Sequence, residues 1–396
     1  MRVSGSPALA GPVCPVFPWR PGNQFRLLVD GPQFFPVMLA ALDQARDWAV
    51  LEFYLVEDGQ CAGRLVSALV AAARRGVRVR CLFDGFGCLK LAGDQRMALM
   101  EAGVVLRLYN PLVSRWHRQN FHRDHRKLLL VDGQCGFIGG AGITDEFWNP
   151  QQPGLCWHEV MVEVRGPLLQ DWLLLFDRQW ARVARRYIWQ LPLPGYVLPV
   201  PPLPAEPGGM GRLAYSAARQ HLDVLRSLLQ RLARARRRIW LATPYFLPTG
   251  KVRRALVRAA RHGVEVQLLL TSQNTDHPPV RYAGQRYYTG LLQAGIRIYE
   301  YQPAFLHLKM VLVDDWVSLG SCNFDHWNLL WNLEANLEST DPGLVQAVAT
   351  SFARDFALSH EVRRADWQCR PWWTRFYQFL FGRLDRLLMN LFNQRH

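Results

Sequence analysis

Lysine is nearly missing from this chain: of 47 basic residues only those at 90, 127, 251 and 309 are lysines, and the rest are arginines. Where a solvated positive charge suffices the sequence uses arginine, so a lysine that recurs at one motif position marks a need for a compact ammonium. Long apolar runs are also missing. No stretch of 18 apolar residues occurs, and the Pro- and Gly-broken first residues lack the continuous apolar core of an export signal, so neither a membrane span nor export is expected. The eight cysteines show no CxxC pair and no zinc-ligand spacing. That argues against a structural metal and suits buried thiols in a reducing compartment.

Acidic residues are in deficit, 32 against 47 basic, which leaves a formal charge of +15. An anionic partner follows, and nucleic acid and an anionic membrane leaflet both qualify on charge alone. Apolar residues are not in deficit. At 49% hydrophobic over 396 residues, the chain can bury two cores of ordinary size. The 15 tryptophans suit either a filled core or anchoring at a lipid headgroup layer.

A weak internal repeat organises the chain. In the first half an apolar strand over 49–56 leads to a helix over 64–75 and, after Gly76, a strand over 77–83. In the second half 239–246, 252–261 and, after Gly263, 264–271 follow the same order. Both read as βαβ crossovers with parallel strands, and each is followed by a further strand, over 103–109 and 295–301. The class is α/β. The proline-rich stretch 190–211 reads as a linker between a first domain over 24–189 and a second over 212–366, with residues 1–23 as an extension. In the tail, 367–396, Trp373, Phe376, Tyr377, Leu380, Leu384, Leu387, Leu388 and Leu391 recur at helical spacing among Arg375, Arg383, Arg386 and Arg395. That is the pattern of a basic amphipathic helix at a membrane surface, and equally of a terminal helix packed on its own domain.

The chemistry lies in two octapeptides. His125, Lys127 and Asp132 recur as His307, Lys309 and Asp314, each set enclosing an apolar run, at equivalent points of the repeat. In a strand, residues two apart share a face, so each histidine projects beside its lysine while the run buries the strand. A glycine-containing turn follows each motif, with Gly139 and Gly140 in one and Gly320, Ser321 and Asn323 in the other, where backbone amides and small side chains can meet an anion. Two such motifs facing one another supply two imidazoles on opposite sides of one phosphate, as in-line displacement needs. One attacks phosphorus, the other protonates the departing alcohol, and Lys127, Lys309 and Asn323 hold the non-bridging oxygens. This scheme calls on no metal and no cofactor.

The paired motifs resemble those of the phospholipase D superfamily, over roughly residues 24–356. The second motif and its continuation, from His307 through Gly320, Ser321, Asn323 and Asp325 to Glu334 and Asn336, are most similar to bacterial cardiolipin synthases that lack N-terminal transmembrane helices. The resemblance implies two similar α/β domains packed about a pseudo-twofold axis, each with a mixed, mostly parallel sheet flanked by helices. It implies that His125 forms a phosphohistidine and His307 is the acid and base, although the symmetry of the motifs permits the reverse. It implies that a carboxylate downstream of each motif orients its histidine, Glu334 after the second and Glu159 after the first, as the acid of a catalytic triad does. Asp132 and Asp314 complete the motifs, as structural anchors or charge-setting groups more than proton carriers. The chain departs from the pattern at Gly142, where the family often has Asn. Its second hairpin is also one residue shorter.

The resulting expectation is phosphatidyl transfer between two phosphatidylglycerol molecules, giving cardiolipin and glycerol, on the cytoplasmic face of the bacterial inner membrane. The partners expected are an anionic phospholipid and the membrane surface, with no nucleic acid; the sequence is silent on oligomeric state. The alternatives on the same site are a phosphodiesterase or nuclease, and a phosphatidyl transferase with phosphatidylethanolamine as donor. A lipid-binding scaffold with a decayed site is the non-enzymatic alternative.

Overall fold

A computed structural model describes residues 16–112, 118–152, 154, 156–186, 208–218 and 221–393. The first half contributes strands β1 (Arg20–Val29), β2 (Trp48–Phe53), β3 (Arg78–Asp84), β4 (Val105–Tyr109), β5 (Lys127–Val131), β6 (Cys135–Gly139) and β7 (Val160–Arg165). The second contributes β8 (Gly209–Ala217), β9 (His221–Leu222), β10 (Arg238–Thr243), β11 (Glu265–Thr271), β12 (Arg297–Tyr301), β13 (Met310–Val313), β14 (Trp316–Gly320), β15 (Leu333–Ser339) and β16 (Ser359–Glu361).

The strands join into one sheet in the order β16-β12-β11-β10-β13-β14-β15-β8-β1-β7-β6-β5-β2-β3-β4, with β9 on β8. Outward from the β8–β1 seam the two halves repeat each other: β1, β7, β6, β5, β2, β3, β4 match β8, β15, β14, β13, β10, β11, β12. The seam itself is short and irregular, with Arg20 opposite Gly211 and Asn23 opposite Gly209.

The expected crossovers are present, with β2 parallel to β3 and β10 parallel to β11. The helices Gln60–Arg74 and Gly250–Arg261 connect them, and each is followed by a left-handed glycine, Gly76 (φ 93°) and Gly263 (φ 85°). The expectation of mostly parallel sheets is not met. Among the named strands parallel pairing is confined to β2-β3-β4 and β10-β11-β12, and the motif strands return antiparallel. The cause is local. Asp132 (φ 53°) and Gly133 (φ 66°) turn β5 into the hairpin strand β6, the left-handed Asp-Gly signature of a tight hairpin. In the second half Val313 pairs with Trp316, against Val131 with Cys135 in the first, so the missing residue is absorbed within the turn.

Two expected boundaries shift. Residues 16–23 are not a separate extension, since Phe17 is buried against Tyr215 and β1 begins at Arg20, held by Asp171. Strand β8 takes up 209–211, the end of the expected linker, whose stretch 190–207 lies outside the described residues. The apolar runs of both motifs are buried on both faces: Leu128 and Leu130 enter one core cluster, and Leu129 and Val131 another. A strand covered on both sides has no polar face, hence its unbroken run.

Candidate active site

His125 and His307 precede β5 and β13, at the end of the sheet where β2 and β10 finish. Pairing of Phe53 with Lys127 puts Tyr54 against His125, with ring centroids 4.9 Å apart. On the other side Phe147, Trp157 and Phe305 surround His307, at 5.1, 5.4 and 5.8 Å.

The halves are tied across the site by two matching backbone bridges. The His125 amide donates to the Leu333 carbonyl and the Leu333 amide to the Arg123 carbonyl, each at 2.9 Å. The His307 amide donates to the His158 carbonyl and the His158 amide to the Phe305 carbonyl, again at 2.9 Å. Leu333 and His158 directly precede Glu334 and Glu159. Each bridge therefore delivers a carboxylate to the histidine of the opposite half. His125 Nδ1 lies 3.0 Å from Glu334 Oε1, with the Ser321 carbonyl also at 3.0 Å. His307 Nδ1 lies 2.7 Å from Glu159 Oε2. This corrects the expected pairing, in which each carboxylate served its own motif. Sequence distance gave no sign of the crossing, because it is set by bridges between segments more than a hundred residues apart.

Both lysines are buried. Lys127 Nζ donates to the His125 carbonyl at 2.5 Å and lies 5.4 Å above the Tyr54 ring. Lys309 Nζ lies 3.0 Å from His307 Nε2 and 3.3 Å from Glu159 Oε2. Ser321 Oγ donates to Glu334 Oε2 at 2.5 Å and accepts from the Ala335 amide at 3.0 Å. Asn323 is buried, and its Oδ1 has no partner among the described residues.

Gly140 stands where the second half has Ser321. A Cβ there would fall 2.1 Å from Glu159 Oε2, so glycine is what admits that carboxylate. Gly142 stands where the second half has Asn323. A Cβ there would meet Leu55 at 3.0 Å and Phe147 at 3.2 Å, so apolar side chains fill the space an amide would need.

Asp132 and Asp314 are not brought to the site. They lie beyond the far ends of β5 and β13, roughly 20 Å along the strand from the histidines at about 3.3 Å per residue. Asp132 accepts from the amides of Arg46, Asp47 and Trp48, and Asp314 from those of Arg236, Arg237 and Arg238. They anchor the entry to β2 and β10 and are removed from the candidate catalytic set.

Burial dominates the electrostatics. It lowers the His125 pKa, with Lys127 adding to the fall and Glu334 opposing it. His307 falls well below the ordinary value through burial, Lys309, Lys127 and His125. Burial brings Lys127 down to about 7, lowers Lys309 and raises Glu159. These groups are desolvated cations and imidazoles waiting for an anion, whose entry favours their protonated forms.

His158 clasps the two halves. Its Nδ1 donates to Asp30 Oδ1 at 2.7 Å and its Nε2 to Asp355 Oδ2 at 3.1 Å. Two donating nitrogens mean an imidazolium. Burial opposes the charge, but the bonds to Asp30 and Asp355 outweigh it and push the pKa up to about 10. No spacing rule links these three positions. His122 stays outside the site, bonded through Nδ1 to the Trp331 carbonyl at 3.0 Å. The basic segment 115–117 lies outside the described residues.

Two similar halves on one mixed sheet, each giving a histidine and a lysine to a shared cleft, define a phospholipase-D-like fold. A phosphatidylserine synthase from Haemophilus influenzae superposes with a TM-score of 0.71 at 14% identity, over 93% of this chain and 94% of that one. A polyphosphate kinase from Porphyromonas gingivalis gives 0.55 at 15% identity, over 86% and 49%. At such identities the likeness is one of fold. Sequence carries it further: the family described as cardiolipin synthase, PLD-like domain matches residues 38–180 and 228–356, and the chain belongs to that family. Among its relatives, a cardiolipin synthase from Geobacillus kaustophilus is 32% identical over 92% of this chain and 72% of its own length. Cardiolipin synthase A from Pseudomonas putida is 32% identical over 87% and 71%. A probable cardiolipin synthase from Bacillus subtilis, YwiE, is 29% identical over 86% and 67%.

Proposed function

We propose that the chain is a phosphatidyltransferase that makes cardiolipin from two molecules of phosphatidylglycerol and releases glycerol. The observation that carries this reading is the pair of imidazoles, each backed by a carboxylate of the opposite half and flanked by a buried ammonium, in a chain of the cardiolipin synthase family.

His125, neutral in the free site because burial and Lys127 lower its pKa, attacks the phosphorus of the first phosphatidylglycerol. The bond from phosphorus to the glycerol oxygen breaks, and that oxygen takes the proton of His307. The anionic phosphodiester itself raises the His307 pKa by offsetting Lys309 and Lys127, so the acid is charged only once substrate is bound. Lys127, Lys309 and Asn323 neutralise the non-bridging oxygens. After glycerol leaves, the free hydroxyl of a second phosphatidylglycerol gives its proton to His307 and attacks phosphorus. The bond from phosphorus to His125 breaks, and cardiolipin departs. Glu334 and Glu159 hold the imidazoles by Nδ1, so that Nε2 of His125 is offered to phosphorus and Nε2 of His307, 3.0 Å from Lys309 Nζ in the free site, to the departing oxygen once the phosphodiester engages that ammonium.

The substrate is drawn from an anionic membrane surface, on the cytoplasmic side of the bacterial inner membrane. Among the described residues no helix is long and apolar enough to cross a membrane. The test is incubation of the purified chain with labelled phosphatidylglycerol in mixed micelles without CTP. Cardiolipin and glycerol should form in equal amounts, with a peptide containing phosphatidylated His125 on rapid quenching. Folded protein that releases phosphatidic acid only would mark a phosphodiesterase, and label on His307 would reverse the two roles.

A further inference from the structure

The C-terminal helix Trp372–Asn393 docks through a face on which Gln378 and Asp385 are deeply buried, beside Tyr377 and Phe381, whose rings pack on Tyr282. Gln378 and Asp385 are 4% and 7% exposed, and Gly382 between them is buried, at the four- and three-residue spacing of one helix face. Gln378 Nε2 donates to Gln285 Oε1 at 3.2 Å. Arg286 Nη2 donates to Asp385 Oδ2 at 2.8 Å, and His326 Nε2 to Asp385 Oδ1 at 3.1 Å. The outer face holds Trp372, 73% exposed, with Trp373, Phe376, Phe379, Leu380 and Leu387. A helix of a globular domain ordinarily shows the opposite arrangement, and so large an apolar face needs a cover.

Charge says what kind. Arg375, Arg383 and Arg386 are exposed among these aromatics, while Asp385, the helix's only acid among the described residues, is sequestered in ion pairs. The outer face is thus aromatic and purely cationic, which suits an anionic headgroup layer more than a protein surface. Place agrees. The helix packs on Pro278–Gln285, which follows β11 at the end of the sheet that carries both histidines. At the same end of the first half, Phe86 and Leu89 follow β3 and Phe121 precedes β5, all exposed. A cavity of about 280 Å³, lined by Val280, Ala283, Phe381 and Leu384, leads from the helix to Tyr245 and Asp325. The Tyr245 ring is 6.4 Å from Phe305, which itself packs on His307.

We propose that this helix seats the enzyme on an anionic phospholipid bilayer, held to the catalytic body by the face that carries Gln378, Phe381 and Asp385 so that its exposed aromatic and arginine face enters the headgroup layer beside the site. The inference rests on the lipid substrate proposed above, and its test separates the two. The full chain and a W373S/F379S/L387S variant would be sedimented with vesicles of equimolar phosphatidylglycerol and phosphatidylcholine, and with phosphatidylcholine alone. Turnover of monomeric dihexanoyl phosphatidylglycerol would be measured in parallel.

The expected result is wild-type binding to the anionic vesicles and a loss of about tenfold or more in the variant. R375Q/R383Q should lose a similar factor and most of the salt dependence, and guards against misfolding of the first variant. Turnover of the monomeric lipid should stay within about twofold in both variants. Unchanged vesicle binding would overturn the inference. So would a wild-type dimer that W373S/F379S/L387S converts to monomer, since the face would then belong to a second copy. Failure of the wild type to turn over monomeric lipid, with vesicle binding intact, would count against the proposed reaction and leave the seating helix standing.

Discussion

Glu159 Oε2 stands 2.7 Å from His307 Nδ1 although 148 positions separate the two residues, and it belongs to the half that supplies the other histidine. Glu334 repeats the relationship with His125 across 209 positions.

The crossing sorts the two carboxylates by step. With phosphatidylglycerol, E159Q and E334Q should each lower kcat by about 10²- to 10⁴-fold, the range set by loss of a histidine-orienting acid. With a nitrophenyl phosphodiester, whose leaving group needs no proton, E159Q should keep a burst of nitrophenol and E334Q should lose it. Stopped-flow absorbance reads this directly, and the opposite pattern would exchange the histidine roles.

Gly140 should tolerate no side chain. G140S puts a Cβ 2.1 Å from Glu159 Oε2. It should displace that carboxylate, lowering kcat by about 10²-fold or more and stability by about 1–3 kcal/mol. Denaturant unfolding beside turnover checks both. S321G, which removes a donor to Glu334 and an acceptor of the Ala335 amide but forces nothing to move, should be the milder change.

The motif aspartates should behave as anchors. D132A and D314A each strip a carboxylate from three backbone amides; D132A should cost about 3 kcal/mol of stability, and D314A less, because two of its amides are exposed to water. The fraction that remains folded should keep a kcat near wild type, as active-site titration against turnover will reveal. A folded D132A with no activity would return that residue to the catalytic set.

His158 should give stability a pH dependence. Its folded pKa, about 10, lies above the unfolded 6.5. The folded state thus binds the extra proton between these values, and stability falls as pH rises. The contribution is complete below pH 6.5 and is lost as pH climbs through 10. Thermal melts at intervals over that window should show a steeper decline for wild type than for H158N.

For the reaction itself, the acid limb of kcat/KM should lie below pH 6.5, since His125 must be neutral to attack and its pKa is lowered. On the alkaline side the rate should already decline below 6.5, since His307 must carry a proton and its free-enzyme pKa is lowered further still, and the decline should steepen near 7, where Lys127 loses its charge. K127R should be slow but should lack the steepening near 7, because guanidinium does not titrate there. Initial rates at low substrate across pH 5–9 provide the check.

Much of this was legible in the sequence, where period and spacing are local. The His-Lys pairs, their apolar strands and both crossover units fall where the two-residue period and the glycine signals put them. The mostly parallel sheet implied by the resemblance is overturned by the Asp132-Gly133 turn, whose hairpin sets the motif strands antiparallel. The assignment of Glu159 to His307 was out of reach, since it depends on which backbone segments meet across the cleft. The docking of the last helix was hidden too. Its periodicity shows that two faces differ, and only Gln378 and Asp385 finding partners on Gln285, Arg286 and His326 settles which face turns inward.

The crossed carboxylates also bear on how the enzyme comes into being. When the ribosome has released only the first half, His125 and Lys127 exist without Glu334, and Glu159 waits for a histidine not yet made. A chain caught at that stage, or truncated there, holds a nucleophile without its orienting acid. Neither histidine is backed by its carboxylate until the second half has folded against the first.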